Sequence, residues 1–193
     1  DWSSDVCSSD LGTSHPIVQA LPPLVAMPLR AVPGIEQSLQ LLFAETERVR
    51  CGQRLLADPL FEVLLIQLLR WLLDHPETAQ VKPGLLSGLS HPKLARALTA
   101  MHEHPGQGAS LDALARAAGM SRSAFAVAFR DSLGTTPAQY LIELRVRLGQ
   151  SMMLGGASVK AVSDELGYAN ASSFSRAFAR ACGCSPRDWL KRE

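Results

Sequence analysis

The sequence is poor in the residues that metal and redox chemistry need. It holds 4 cysteines in 193 residues, Cys7, Cys51, Cys182 and Cys184, and no C-x-x-C pair. That excludes a zinc knuckle and a disulfide framework, and it fits reduced thiols in a cytoplasmic protein. The 5 histidines form no cluster. His102 and His104 flank Glu103, but on a helix they point about 200° apart, which is poor zinc geometry. Solvation at a helix end is their expected role. There is no phosphate loop, no G-x-S-x-G elbow and no nucleophile beside a base, so neither an enzyme nor a cofactor is expected. Long apolar runs are missing too. The most apolar stretch, residues 60–73, contains Glu62, Gln67 and Arg70 and is shorter than the roughly 20 residues a bilayer requires. The acidic, Ser-rich start has no apolar core of a secretory signal.

An excess of charge is also absent, but only in the total. The net charge is +1 from 19 basic and 18 acidic residues. Residues 1–91 hold 6 Lys/Arg against 10 Asp/Glu, or −4, and residues 92–193 hold 13 against 8, or +5. Opposite signs in the two halves point to a polyanionic partner, nucleic acid, for the second half.

What the sequence does have is an internal repeat, and repeats set architecture. Residues 110–141 read SLDALARAAGMSRSAFAVAFRDSLGTTPAQYL, and residues 158–190 read SVKAVSDELGYANASSFSRAFARACGCSPRDWL. Ser110 aligns with Ser158 and Gly119 with Gly167; after one inserted residue, Phe125, Phe129, Gly134, Pro137 and Tyr140 align with Phe174, Phe178, Gly183, Pro186 and Trp189. Each copy predicts a helix–turn–helix. Ser110 and Ser158 are N-caps for short helices. Gly119 and Gly167 stop them through left-handed backbone. Ser121 and Asn170 cap the next helices, whose paired phenylalanines, four apart, share one face. Thr136-Pro137 with Gln139, and Ser185-Pro186 with Asp188, each supply a cap, a proline at the first helical position and a capping-box partner. The helix between the copies, residues 137–154, is roughly 27 Å long. Two reading heads on that strut could enter major grooves one turn, about 34 Å, apart.

With Gly167-Tyr168, Ser172, Phe174-Ser175-Arg176-Ala177-Phe178, Gly183 and Ser185-Pro186 in place, residues 92–193 resemble the DNA-binding region of the AraC/XylS family of bacterial transcription regulators. The resemblance implies that the second helix of each motif lies in the major groove of double-stranded DNA. By position, the base readers are then Ser123, Ala126 and Val127 in the first motif, and Ala171, Ser172, Ser175 and Arg176 in the second. Phosphate contacts fall to Ser121, Arg122, Arg130, Asn170, Arg180 and Arg187. The first motif departs from the family pattern: Val127 stands where a basic residue is usual, beside Ala126 and Ala128. Such side chains can only touch thymine methyls or pack, whereas Arg176 can bind guanine O6 and N7 in bidentate fashion. Arg145 and Arg147, on the connecting helix, are expected to pair within the molecule.

The first half is less regular. Residues 12–34 are Pro-rich, with edge strands expected near 18–20 and 24–27. Helical spacing follows over residues 35–50 and 53–74, and residues 79–90 read as a linker. The second helix is apolar around most of its girth and needs partners on more than one side. The segment resembles the tail of the cupin-type effector domain of part of the same family. That resemblance implies a small-molecule effector for the full-length protein, RNA polymerase as a further partner, and a homodimer through residues 55–73. Residues 1–11, DWSSDVCSSDL, match the translation of a common sequencing-library adapter and are read as an artefact.

The expected fold is therefore mainly α. Two helix–turn–helix motifs, residues 110–133 and 158–182, are joined by a linker helix over 136–154 and preceded by two helices and a remnant of a β-barrel domain. Residues 12–90 form a truncated effector and dimerisation remnant, and residues 91–193 the DNA-binding domain. The rival reading is a truncated helical fragment that self-associates and regulates nothing.

Overall fold

The computed structural model describes residues 21, 25, 27–47, 51–76, 83–107 and 110–192. They divide into two compact units, residues 1–90 and 91–193. The stretch 1–11 and the strand expected near 18–20 lie outside the described residues. Of residues 24–27, Val25 and Met27 are described, and neither is in a strand.

In the first unit, a single 3-10 turn at Leu29–Ala31 leads into α1 (Ile35–Thr46), α2 (Gln53–Asp74) and α3 (Leu85–Ser90). Helix α1 packs on α2, and α2 on α3. The core is Trp71, Leu72 and Leu86, with Val25, Met27 and Val32 against it. Helix α2 stops where His75 stacks on Trp71 at 5.0 Å and its Nδ1 lies 3.0 Å from the Trp71 carbonyl. The linker reading of residues 79–90 is corrected over its described part, 83–90. Leu85–Ser90 is helical, and Leu86 is only 2% exposed. Pro83, Gly84 and Gly88 suggested a loop, but burial of Leu86 in the core outweighs the weak propensity of so short a glycine-containing turn. Helix α1 also ends at Thr46, within the 35–50 expected. The apolar girth of α2 is real: Leu55 is 84% exposed, and Leu56, Phe61, Val63 and Ile66 are exposed as well.

The second unit begins with α4 (Pro92–Glu103), then α5 (Leu111–Ala117), α6 (Arg122–Leu133), α7 (Pro137–Leu154), α8 (Val159–Glu165), α9 (Ala171–Cys182) and α10 (Pro186–Leu190). Helix α4 packs on α5 and α6 and makes the first motif a three-helix unit. Its start is unusual: the His91 side chain accepts from the amides of Lys93 and Leu94, ahead of Pro92 at the first helical position. Its inner stripe is Leu94, Ala97, Leu98 and Met101. Helix α7 packs on α6, α8 and α9 and so connects the two motifs.

The local signals decide where these helices begin and end. Ser110, Ser121, Thr136, Ser158, Asn170 and Ser185 all accept a first-turn amide. The recognition-type helices α6 and α9 end at Gly134 and Gly183, at φ +74° and +73°, a conformation that costs an L side chain roughly 1 kcal/mol or more. Two capping details differ from expectation. The Gln139 side chain donates to Glu143 Oε1 at 2.9 Å rather than closing a capping box, because a carboxylate one turn ahead competes for it. Asp188 accepts from the Ser185 hydroxyl at 2.6 Å.

Each motif is closed by aromatic packing. Phe125, Phe129, Phe174 and Phe178 are all 0% exposed. Phe129 meets Tyr140 edge-on at 5.7 Å, and Phe178 meets Trp189 at 5.8 Å. Beneath α9, Gly149 of α7 leaves room for Phe174: a Cβ there would stand 2.7 Å from the ring's Cζ. A larger residue overpacks a filled core. Gly149→Leu should destabilise the second unit by about 1–3 kcal/mol, read as a lower urea midpoint at unchanged m-value.

Candidate nucleic-acid interface

Burial of the phenylalanines leaves one face of α6 and one of α9 for solvent. On α6, Ser123 and Val127 are exposed and Ala126 is half-buried; on α9, Ser172 and Arg176 are exposed and Ala171 and Ser175 half-buried. Spacings of three and four place these residues on one stripe of each helix. The stripes differ in chemistry. Val127 is 60% exposed and borders an apolar groove of about 560 Å³ shared with Leu111, Leu114, Ala126, Arg130 and Pro137. The α9 stripe is hydroxyl and guanidinium, with Arg176 Nη2 3.4 Å from the Ser173 Oγ.

The flanking polar groups are placed as donors. Ser121 and Asn170 use a side-chain oxygen to accept the amides of Ala124 and Ser173, at 3.3 and 2.8 Å. The Asn170 NH₂ remains available at its helix end, and the Ser121 hydroxyl lies 3.4 Å from the Ser123 Oγ. Arg122, Arg130, Arg180 and Arg187 are exposed. Arg122 lies 3.7 Å from Asp112, with both side chains open to water; such pairs are worth little and exchange readily. Among the described residues, Arg130, Arg176, Arg180 and Arg187 form no ion pair. Helix α9 carries no carboxylate, whereas α6 has Asp131 beside Arg130.

Two half-buried features escaped sequence reasoning. His102 does not sit in solvent at a helix end; its Nε2 lies 2.9 Å from the Tyr140 hydroxyl, because α4 packs into the first motif. Among the described residues, Arg145 pairs with no carboxylate. Its Nε donates to the Pro105 carbonyl at 2.6 Å, and its guanidinium lies over the Tyr168 ring. The Arg147 Nε is buried without a hydrogen-bond partner among the described residues, so the expected internal pairing of Arg147 is not found there. The only available hint was aromatic identity at Tyr140 and Tyr168, since distant pairings leave no periodic trace.

Residues 114–192 match the family model described as a helix-turn-helix domain, and residues 6–74 match one described as cupin, a span that includes part of the stretch 1–11. The HTH-type transcriptional regulator AlkR of Acinetobacter baylyi is 30% identical over 188 residues, covering 95% of this chain and 60% of the relative. A Streptomyces antibioticus protein named as an AraC-like transcription regulator is 32% identical over 178 residues, covering 91% and 58%. The solved DNA-binding domain of AdpA, in complex with a target DNA, is 29% identical, covers 51% of this chain and 89% of that one, and superposes with a TM-score of 0.49. The carboxy-terminal unit is thus a double helix–turn–helix domain. Its relatives by sequence are AraC-like regulators, and a cupin-type segment precedes it. The chain spans between 39% and 60% of the length of the curated relatives it matches.

Burial pushes the His102 imidazole below its ordinary range, and the Arg147 charge acts in the same direction; burial pushes the Tyr140 phenol up to about 12. The folded chain therefore resists a proton at His102 that the unfolded chain accepts below about pH 6.5, so this contribution to stability is lost as pH falls. The melting temperature should drop between about pH 7.5 and 5.5. His102→Gln, which keeps a polar partner for Tyr140, should flatten that drop.

Proposed function

We propose that the chain acts as a sequence-specific DNA-binding transcriptional regulator that places α6 and α9 in successive major grooves. The observation that carries this is the duplicated motif itself. Two capped helices, each held by buried phenylalanines, present a solvent-facing stripe flanked by arginines, of which Arg130, Arg180 and Arg187 form no ion pair among the described residues. Binding should then be driven by phosphate contacts and be strongly salt-dependent.

In this reading the two heads divide the work. Ser172, Ser175 and Arg176, with Ala171, supply polar base readout, and Arg176 reads a guanine. Ser123, Ala126 and Val127 contribute thymine-methyl contact, while Ser121, Arg122, Arg130, Asn170, Arg180 and Arg187 hold the backbone. The protein is not an enzyme and works in the cytoplasm. The domain boundaries follow the same reading. Residues 12–90 are an effector and dimerisation remnant whose exposed α2 face, residues 55–73, serves a second copy. A small-molecule effector belongs to the full-length protein, and RNA polymerase is a further partner. Residues 91–193 are the DNA-binding domain. The match to AraC-like regulators supports this over a fragment without regulatory activity.

Arg176→Ala should weaken binding to a selected operator by about 1–3 kcal/mol and relax preference at one base pair. Arg180→Ala should weaken all sequences alike and lower the log–log salt slope by about 1. Both are read by fluorescence anisotropy across a salt series. A salt slope near zero for the parent chain would defeat the regulator reading.

A further inference from the structure

Two reading heads gain from being linked only if their separation matches the DNA, and four contacts on the Tyr168 side of the second motif bear on that separation. First, Arg145 leaves the middle of α7 and donates to the carbonyl of Pro105, in the turn that follows α4 of the first motif. Second, the same guanidinium lies 5.3 Å from the centroid of Tyr168, in the turn between α8 and α9 of the second motif. Third, Tyr168 meets Phe174 of α9 edge-on at 5.4 Å. Fourth, Gly106 and Gly167 approach backbone to backbone, so closely that a Cβ on either would collide with main-chain atoms of the other's turn.

The first two contacts share one side chain, Arg145, and the other two lie next to its partners Tyr168 and Pro105. A planar guanidinium can donate in its plane to a carbonyl while its face rests on an aromatic ring, and a lysine ammonium cannot do both in that geometry. The two turns it connects lie at the exits of α4 and α8, one in each motif. Helix α7 joins the motifs end to end and packs on both, and contacts away from that helix add a second constraint on how one motif is turned relative to the other. The Arg145 contacts lie off that axis, where a tie resists rotation.

We propose that Arg145 is a positioning residue that locks the second recognition helix relative to the first, through Pro105 on one side and Tyr168 on the other, and so sets the half-site spacing the protein accepts. The proposal rests on the DNA-binding reading for its consequence, but the lock itself is a property of the free protein. A linked pair of modules loses its avidity when their geometry no longer fits both sites at once. Arg145 needs no contact with DNA to exert this effect.

The test uses the full chain with its four cysteines changed to serine and spin labels on Ala124→Cys and Ala179→Cys, exposed positions on α6 and α9. Double electron–electron resonance on the DNA-free protein should give one narrow distance. In Arg145→Gln it should broaden or shift at unchanged helix content, with Arg145→Lys between the two. In parallel, DNA selected from a random pool, and versions with one to three base pairs inserted between its half-sites, should bind the parent chain with a preference of about tenfold or more for one spacing. Arg145→Gln should reduce that preference to about twofold. An identical distance distribution in Arg145→Gln overturns the proposal, as does a broad one in the parent chain. If Arg145→Gln loses its helices, Arg145→Lys decides on the same criterion, and loss of fold in both reassigns Arg145 to folding alone. Failure of the parent chain to bind DNA would defeat the regulator reading while leaving the distance result to judge the lock.

Discussion

The domain depends on four phenylalanines that never meet solvent. Phe125 and Phe129 in α6, and Phe174 and Phe178 in α9, are fully buried, and each is worth about 1.5–3 kcal/mol in removed apolar surface. Their energetic weight is matched by a geometric consequence. A pair four residues apart fixes the roll of a helix about its own axis, so burying one side determines which residues face outward. Ser172 and Arg176 are on the surface because Phe174 and Phe178 are not. The Tyr140 and Trp189 rings finish each cluster from the next helix, so the residue that closes each motif lies in the first turn of the element after it.

The two copies have diverged on top of this shared frame. Both use a hydroxyl or amide cap, a left-handed glycine and a proline-started helix, yet α6 presents an apolar stripe beside a groove and α9 a polar and basic one. The frame tolerates that divergence because exposed positions carry almost none of the folding energy. The total charge of +1 conceals the same arrangement: the basic excess belongs to residues 92–193 and is offset by acidic residues in the first half.

Local structure in the second half was legible because its determinants are local. A serine two or three residues from an orphan amide acts within one turn, and a glycine at φ +74° answers a steric demand of the residue itself. The first half was read less well. The Leu85–Ser90 helix is held by Leu86 in a core with Trp71 and Leu72, and Pro83, Gly84 and Gly88 pointed the other way. Helix α4 carries a Leu94, Ala97, Leu98, Met101 stripe and a proline start that the repeat did not extend to, so its role as the third helix of the first motif came from the fold. At the candidate interface, the readers and anchors came from position within the repeat and from the family pattern, and the structure adds which of them are open to solvent.

The sequence by itself determined the periodic and nearest-neighbour features: the duplication, the caps, the helix stops, the buried phenylalanine face and the charge asymmetry. Only the tertiary structure decided what is joined across long separations in the chain. It placed His102 on Tyr140, Arg145 between Pro105 and Tyr168, and Gly106 against Gly167. Such contacts arise where packed elements happen to bring polar groups and bare backbone together. Their partners stand roughly 20 to 60 residues apart, and no spacing rule marks them in advance.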